Sequence, residues 1–335
     1  MKRPGNTIAI NGLGRMGRLF LRTAVANDLN VVCCNEPNGD PESLALGLEF
    51  DSVHGRYEQP VSEQDGDLVV GEQRIALTQH SSFAKLPWAE HKIDIVVDCS
   101  GQLRQREQCQ PHLKAGARRV LVSNPVKDVP NLVYGVNHQS CAFADETIVT
   151  AASCTTNCLA PVVRVLHDAI GIERGMVTTL HNPTNTQVVV DRPHNDVRRA
   201  RSALVNLIPT STNSATAVTL IVPELAGRLD SIAVRVPVLN ASLTDCSFSM
   251  LKDTTVEEVH AALQAAANGG MRGVLGFETR PLVSSDFVND ARSGIVDAGC
   301  TRVVDKRLVK VMIWYDNEWG YVNRMVDLVR CMQQA

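Results

Sequence analysis

The chain has 335 residues, 44% of them hydrophobic and 21% charged, with a formal net charge of −3. That length suits two domains with a core each, and so slight a charge leaves no basic footprint for nucleic acid. No apolar run reaches membrane-spanning length, and Met1-Lys2-Arg3-Pro4-Gly5 runs into a polar-flanked strand rather than a signal peptide, so a cytoplasmic protein without membrane insertion is expected.

Thr7-Ile8-Ala9-Ile10-Asn11 reads as a buried parallel strand, followed by Gly12-x-Gly14-x-x-Gly17 and a helical pattern from Leu19 to Val25. Placed between strand and helix, this spacing is a dinucleotide-binding fingerprint. The first glycine allows the tight turn, the second admits a pyrophosphate, and the third lets helix pack on strand. Arg15 and Met16 then flank the phosphates at the helix start. A second strand, Val31–Asn35, ends at Glu36, 19 residues after Gly17, where an acid binds the ribose hydroxyls. Its charge repels a 2′-phosphate, so NAD is favoured over NADP. Strands at Ile93–Cys99 and Arg119–Ser123, with a helix from Arg104 to Ala115 between them, continue a Rossmann-type doubly wound parallel sheet.

The next stretch, Ala151-Ala152-Ser153-Cys154-Thr155-Thr156-Asn157-Cys158, lies between the β-rich Thr147–Thr150 and a helical run to Ala169. A cysteine where a helix begins feels unpaired N–H groups and the positive dipole end, which favour thiolate. A buried structural cysteine has the same local signature. From here β character dominates, at Met176–His181, Ile232–Val236, Leu243–Leu251 and Leu308–Trp314, with a helix at Thr255–Ala267; this predicts an α+β domain with a largely antiparallel sheet. The ten cysteines form no Cys-x-x-Cys array or Cys/His cluster, so reduced core thiols and no metal site are expected.

Ser153-Cys154-Thr155-Thr156-Asn157-Cys158 resembles the active-site signature of phosphorylating glyceraldehyde-3-phosphate dehydrogenases. Asn11 to Arg18, Asp51-Ser52-Val53-His54-Gly55-Arg56, Arg235-Val236-Pro237 and Trp314 to Tyr321 extend the resemblance over nearly the whole chain. It implies an NAD-binding domain at 1–153, a catalytic domain at 154–316, and a last helix (317–335) returning to the first. It also implies a homotetramer, with Asp191–Arg201 as an interface loop reaching a neighbour's cofactor. Cys154 becomes the nucleophile and His181 its base. Thr184 and Arg235 become ligands of the substrate phosphate, and Ser153, Thr155, Thr212 and Asn213 ligands of a second, inorganic anion. Ser123 falls near the nicotinamide-side ribose, Asn317 at the carboxamide and Tyr321 beside the ring.

The implied reaction is oxidation of glyceraldehyde 3-phosphate through a Cys154 thioester, with phosphate or arsenate as acceptor. The chain departs from the family at Ser81, where arginine often flanks adenine, at Glu36 for aspartate, and at Asn213 and Thr216 for glycine and lysine. Arg192 replaces a residue that is often apolar, and attracts a 2′-phosphate. At Asn213, tolerance of left-handed backbone is expected to preserve the amide cradle. Glu49 to Arg56, Asp191 to His194 and Asn240 to Cys246 look most like a branch associated with arsenate resistance. Erythrose-4-phosphate dehydrogenase is the nearest alternative enzyme. A non-catalytic NAD- or nucleic-acid-binding relative is the alternative of another class, and it predicts loss of Cys154, His181 or Arg235, all of which are present.

Overall fold

A computed structural model describes residues 6–335; the opening Met1 to Gly5, read above as a lead-in, lies outside the described residues. Two compact units result: the described residues up to Ser153 together with Val322–Ala335, and Cys154–Tyr321.

In the first unit β1 (Thr7–Asn11), α1 (Arg15–Ala26), β2 (Asn30–Asn35) and α2 (Pro41–Glu49) are followed by a small hairpin of β3 (Phe50–Asp51) and β4 (Gly55–Arg56). Then come β5 (Val61–Gln64), β6 (Asp67–Val70), β7 (Gln73–Thr78), β8 (Ile95–Asp98), α3 (Arg106–Lys114), β9 (Arg119–Val122) and β10 (Ile148–Thr150). The sheet order is β10-β9-β8-β1-β2-β7-β6-β5. It is parallel from β10 to β7 and ends in an antiparallel meander. β1 and β8 are buried almost throughout, which is why they read as unbroken apolar runs. Asp40 caps α2 by accepting from the Ser43 N–H, with Pro41 at the first helical position, a start signal of ordinary kind.

Beneath the glycine turn lies a buried polar chain. Trp88 Nε1–H donates to His112 Nδ1 (3.0 Å), so His112 carries its proton on Nε2 and donates it to Asp98 (3.0 Å). Asn11 Nδ2 also donates to Asp98 (2.7 Å), and Asn35 Nδ2 donates to Asn11 (2.9 Å). Every link is almost fully buried, so an unsatisfied member would be costly. The chain of bonds pins the ends of β1, β2 and β8 from which the turn rises.

The second unit begins with α4 (Cys154–Ala169) and continues through β11 (Ile172–His181), β12 (Ile208–Thr210), α5 (Ser214–Thr219), β13 (Leu229–Arg235) and β14 (Ser242–Met250). It is completed by α6 (Val256–Asn268), β15 (Leu275–Glu278), β16 (Gly294–Val304) and β17 (Leu308–Tyr315); α7 (Trp319–Gln334) crosses the boundary between Tyr321 and Val322. The order is β12-β13-β11-β14-β17-β16-β15. Four of its six pairings are antiparallel, while β11–β13 and β15–β16 are parallel. The fold class is therefore the expected one, a parallel doubly wound sheet plus an α+β unit. The β11–β13 register sets His181 opposite Arg235 at the two strand ends.

Candidate active site

Gly12 takes φ +95°, and a Cβ there would stand 2.8 Å from the Ser100 nitrogen; a Cβ at Gly17 would stand 1.9 Å from the Gly12 carbonyl oxygen. Neither position has room for a side chain. Around Gly14 nothing lies within 4 Å of a built Cβ, so that side of the turn is open to a ligand. The turn borders a cleft of about 270 Å³, whose walls include Gly12, Gly14, Asn35, Glu36, Phe83 and Ser100. Closed packing on one side, open backbone on the other and a carboxylate at the rim fit a dinucleotide.

Glu36 accepts from the Leu13 N–H (2.8 Å) and the Asn38 N–H (3.0 Å), one oxygen each, which steadies it at the end of β2 and leaves lone pairs for hydroxyl donors. Arg15 is the first residue of α1, and its guanidinium pairs with Asp51. Burial works against that carboxylate, but Arg15 and the His54 and Val53 N–H groups outweigh it and bring its pKa to about 2. Met16 is half-buried in the first turn of α1. Ser123 follows β9 and donates its N–H to the Asp98 carbonyl (2.9 Å). Ser81 is exposed on the cleft wall, at the position where an arginine contact was in doubt.

In the second unit Cys154 is the first residue of α4. Two residues before it, Ala152 has φ +56°, a left-handed conformation costing an alanine about 1–2 kcal/mol. Ser153 and Cys154 are both half-buried. His181 Nε2 lies 3.7 Å from Cys154 Sγ. On the ring's other side Arg235 Nη1 donates to Nδ1 (2.7 Å) and to the Asn182 carbonyl (3.0 Å), and that carbonyl is itself 2.8 Å from Nδ1.

The helix start was expected to lower the thiol's pKa. Instead, burial pushes Cys154 above its ordinary value, outweighing the pull of the Thr155 hydroxyl, Arg235 and the Thr155 and Cys154 backbone N–H groups. Burial, then the Arg235 charge, depress His181 to about 4.

The anion ligands are only partly assembled. Thr184 is exposed, its hydroxyl within reach of Thr186 (3.0 Å) and Gln187 (3.1 Å). The Thr212 and Ser214 hydroxyls are 2.7 Å apart. Thr155 is turned inward: it is 6% exposed and its hydroxyl meets the Tyr315 hydroxyl at 2.9 Å. Asn213 has φ −103° and ψ 17°, so the left-handed tolerance invoked for it is not used; ordinary backbone leads into α5.

Arg199 is a residue that reading the sequence left in an interface loop. Its guanidinium donates to Thr210 Oγ1 from Nε (2.9 Å) and Nη2 (2.5 Å), and, after burial, which is the main cause, its charge also lowers the pKa of Arg235. Asn317 is buried, and its Oδ1 accepts from the Ser242 hydroxyl (3.0 Å), which leaves Nδ2 as the group to present; Tyr321 is also buried. A groove of about 810 Å³ lies at the other end of β11 around Arg174, Met176 and Asp230 and holds none of these residues. Among the described residues no cluster of three or more metal-ligating side chains occurs.

The family model described as the glyceraldehyde 3-phosphate dehydrogenase NAD binding domain matches residues 6–106, and that of the C-terminal domain matches residues 153–317. The chain is 49% identical to glyceraldehyde-3-phosphate dehydrogenase 3 of Nostoc sp., over 96% of this chain and 97% of that one. It is 48% identical to glyceraldehyde-3-phosphate dehydrogenase of Cereibacter sphaeroides (97% and 98% covered) and 45% identical to that of Geobacillus stearothermophilus (96% of each).

Proposed function

The chain belongs to the glyceraldehyde-3-phosphate dehydrogenase family, an NAD-dependent oxidoreductase family, and on that premise we propose that it oxidises glyceraldehyde 3-phosphate to an acyl phosphate through a thioester on Cys154. The observation that carries this reading is the Cys154–His181 pair at 3.7 Å with Arg235 beside it.

His181 takes the thiol proton, and the sulfur adds to the aldehyde carbon to give a hemithioacetal. The protonated ring and the Cys154 N–H steady the resulting oxygen. NAD, when bound, would supply an acceptor for the carbon-bound hydrogen of this adduct as a hydride, so that oxidation leaves the thioester on Cys154. The anion attacks the thioester carbonyl, the sulfur leaves as thiolate, and the acyl phosphate departs. Arg235, joined by Thr184 and Arg199, holds the substrate phosphate with planar charged donors. Ser153, Thr212 and Asn213 receive the attacking anion. Gly12, Gly14 and Gly17 cradle the pyrophosphate, Glu36 holds the ribose, and Ser123, Asn317 and Tyr321 orient the nicotinamide end.

Arsenate is proposed as an alternative acceptor. It has the charge and shape of phosphate, and hydroxyls and backbone amides gain little from a small difference in size. One misfit methylene is worth only ~1–3 kcal/mol, so the two efficiencies fall within about tenfold, ~1.4 kcal/mol. A role in arsenate resistance then lies in gene context and product export. A homotetramer is also proposed, because exposed apolar residues gather in one segment (Val189, Val190, Val197, Leu204, Val205, Leu207) and on the sheet at Met176 and Ile232, more than scattered surface hydrophobics explain. A cytoplasmic setting agrees with ten free thiols.

NAD reduction with glyceraldehyde 3-phosphate, run separately with phosphate and arsenate and against erythrose 4-phosphate, tests the reading. Turnover with the triose and both anions is expected; a higher kcat/KM for the tetrose would overturn the substrate assignment. Deleting the gene should sensitise cells to arsenate without impairing growth on sugars, and the opposite pattern would return the protein to central metabolism.

A further inference from the structure

At one end of the first sheet β1, β2 and β7 lie side by side and parallel. Their last residues lead into Gly12, into Glu36 and, just past Thr78, into His80. The glycine turn takes the pyrophosphate and Glu36 the ribose, so the base on that ribose falls towards β7. His80 and Phe83 belong to the cleft lining on this side and are the rings among its lining residues; both are half-buried.

Both residues are held from behind. Asn35, 1% exposed, accepts the His80 N–H at Oδ1 (2.8 Å) and donates from Nδ2 to the His80 carbonyl (3.0 Å). These bonds extend the β2–β7 ladder past its last pair, Asn35 and Thr78. They use the backbone of His80, so they fix the residue without occupying its imidazole. Phe83 packs on the core clusters of this unit, and its ring lies 5.0 Å from that of His112 at 31°. His112 is itself anchored by Trp88 and Asp98. Ring faces held in this way suit a flat ligand. The polar groups of the lining are a poorer match for a base edge. Asn38 is exposed and its Nδ2 reaches Glu36 (3.3 Å), while Ser81 and Gln102 are exposed. A hydrogen bond that only replaces one to water contributes little.

We propose that this cleft binds the adenine of its cofactor by the face, against His80 and Phe83, and leaves the edge of the base to solvent. Stacking is tolerant of base identity, because every base has a π-face. The cleft therefore selects for a purine-sized ring without reading its exocyclic groups, and hypoxanthine serves in place of adenine. The two rings are binding residues for the adenosine half alone. The inference deepens the cofactor reading and rests on the glycine turn and Glu36 as the cofactor's site.

Calorimetric titration of the full chain with ADP-ribose, which has no nicotinamide, tests the proposal without turnover. His80→Ala should weaken binding by about tenfold, and Phe83→Leu, which keeps apolar bulk on the core, by about fivefold. His80→Phe retains a face and should bind like wild type, whereas His80→Asn retains polarity without a ring and should fall with His80→Ala. A further arm needs no variant: nicotinamide hypoxanthine dinucleotide should bind the wild type within about fivefold of NAD. Unchanged ADP-ribose affinity in His80→Ala or Phe83→Leu would overturn the proposal. So would wild-type affinity in His80→Asn with loss in His80→Phe, or a larger penalty for hypoxanthine, since each means that the edge is read. Those results would leave the cofactor site standing. A wild-type protein that binds NAD but not ADP-ribose, or whose NAD affinity is indifferent to Gly14→Ala and Glu36→Ala, would remove the site and the ring wall together.

Discussion

Two strand-to-helix turns carry the proposed chemistry, and they are built on opposite plans. The turn from β1 to α1 works through backbone: Gly12 at φ +95° and Gly17 against the Gly12 carbonyl leave no space for side chains. The turn from β10 to α4 works through side chains: Ala152 at φ +56° precedes Cys154, whose sulfur is answered by His181 from another strand. A substitution at Gly12 or Gly17 in the first turn changes shape, and with it stability and cofactor binding together. A substitution in the second can leave shape alone and remove only chemistry.

The largest separation of the two comes from Cys154→Ser. Turnover should fall by several orders of magnitude, because a serine hydroxyl is far less ionised than a thiol, while NAD affinity and the thermal midpoint stay close to wild type. A variant that also loses NAD binding would show that the cysteine turn is structural as well.

Gly17→Ala should do the reverse. Its Cβ would stand 1.9 Å from a backbone oxygen, so NAD titration and thermal melting should both report losses, of about tenfold or more in affinity and ~1–3 kcal/mol in stability. Gly14→Ala, with open space around it, should melt like wild type and weaken NAD alone. Equal melting losses for the two would contradict the backbone account.

His181 gives a smaller, pH-dependent effect. Its pKa in the fold, about 4, is below the unfolded value near 6.5, so between the two the unfolded chain binds the extra proton. Stability from this group is present above about pH 6.5 and falls as pH drops towards 4, by up to about 1.4 kcal/mol per unit. His181→Asn should flatten that slope in denaturant unfolding and slow acylation, while leaving NAD affinity unchanged. An unaltered slope would mean that the ring is not held neutral by burial and Arg235.

The smallest effect is at the cofactor cleft. Glu36→Ala should narrow the preference for NAD over NADP in kcat/KM, with Arg192 pulling weakly the other way. A wider gap would remove Glu36 from the ribose.

The backbone turn was the more legible of the two, because glycine spacing between strand and helix leaves few alternatives, and β1, β2, β8 and β9 are buried runs. The chain was harder to read where its pattern was interrupted. β16 has an irregular register between Asp297 and Arg302, amid Gly299 and polar residues that hide its alternation. α2 went unread although Asp40-Pro41 announces it, and the β5–β7 meander is polar on its outer face. In the second unit the motifs singled out Cys154, His181 and Arg235 as candidates but not their hydrogen bonds. That Arg235 faces the imidazole, that Thr155 turns to Tyr315 and that Arg199 reaches Thr210 follow from strand register and burial, which no local motif encodes. The buried line from Trp88 through His112 and Asp98 to Asn11 was invisible for the same reason.

The central claim is the thioester on Cys154, and rapid quenching of enzyme mixed with NAD and glyceraldehyde 3-phosphate, with phosphate and arsenate withheld, tests it most directly. A stoichiometric burst of NADH should accompany an acyl adduct that peptide mass spectrometry places on Cys154, and adding phosphate should discharge it as acyl phosphate. A full burst with no adduct, or an adduct on another of the ten cysteines, would contradict the account.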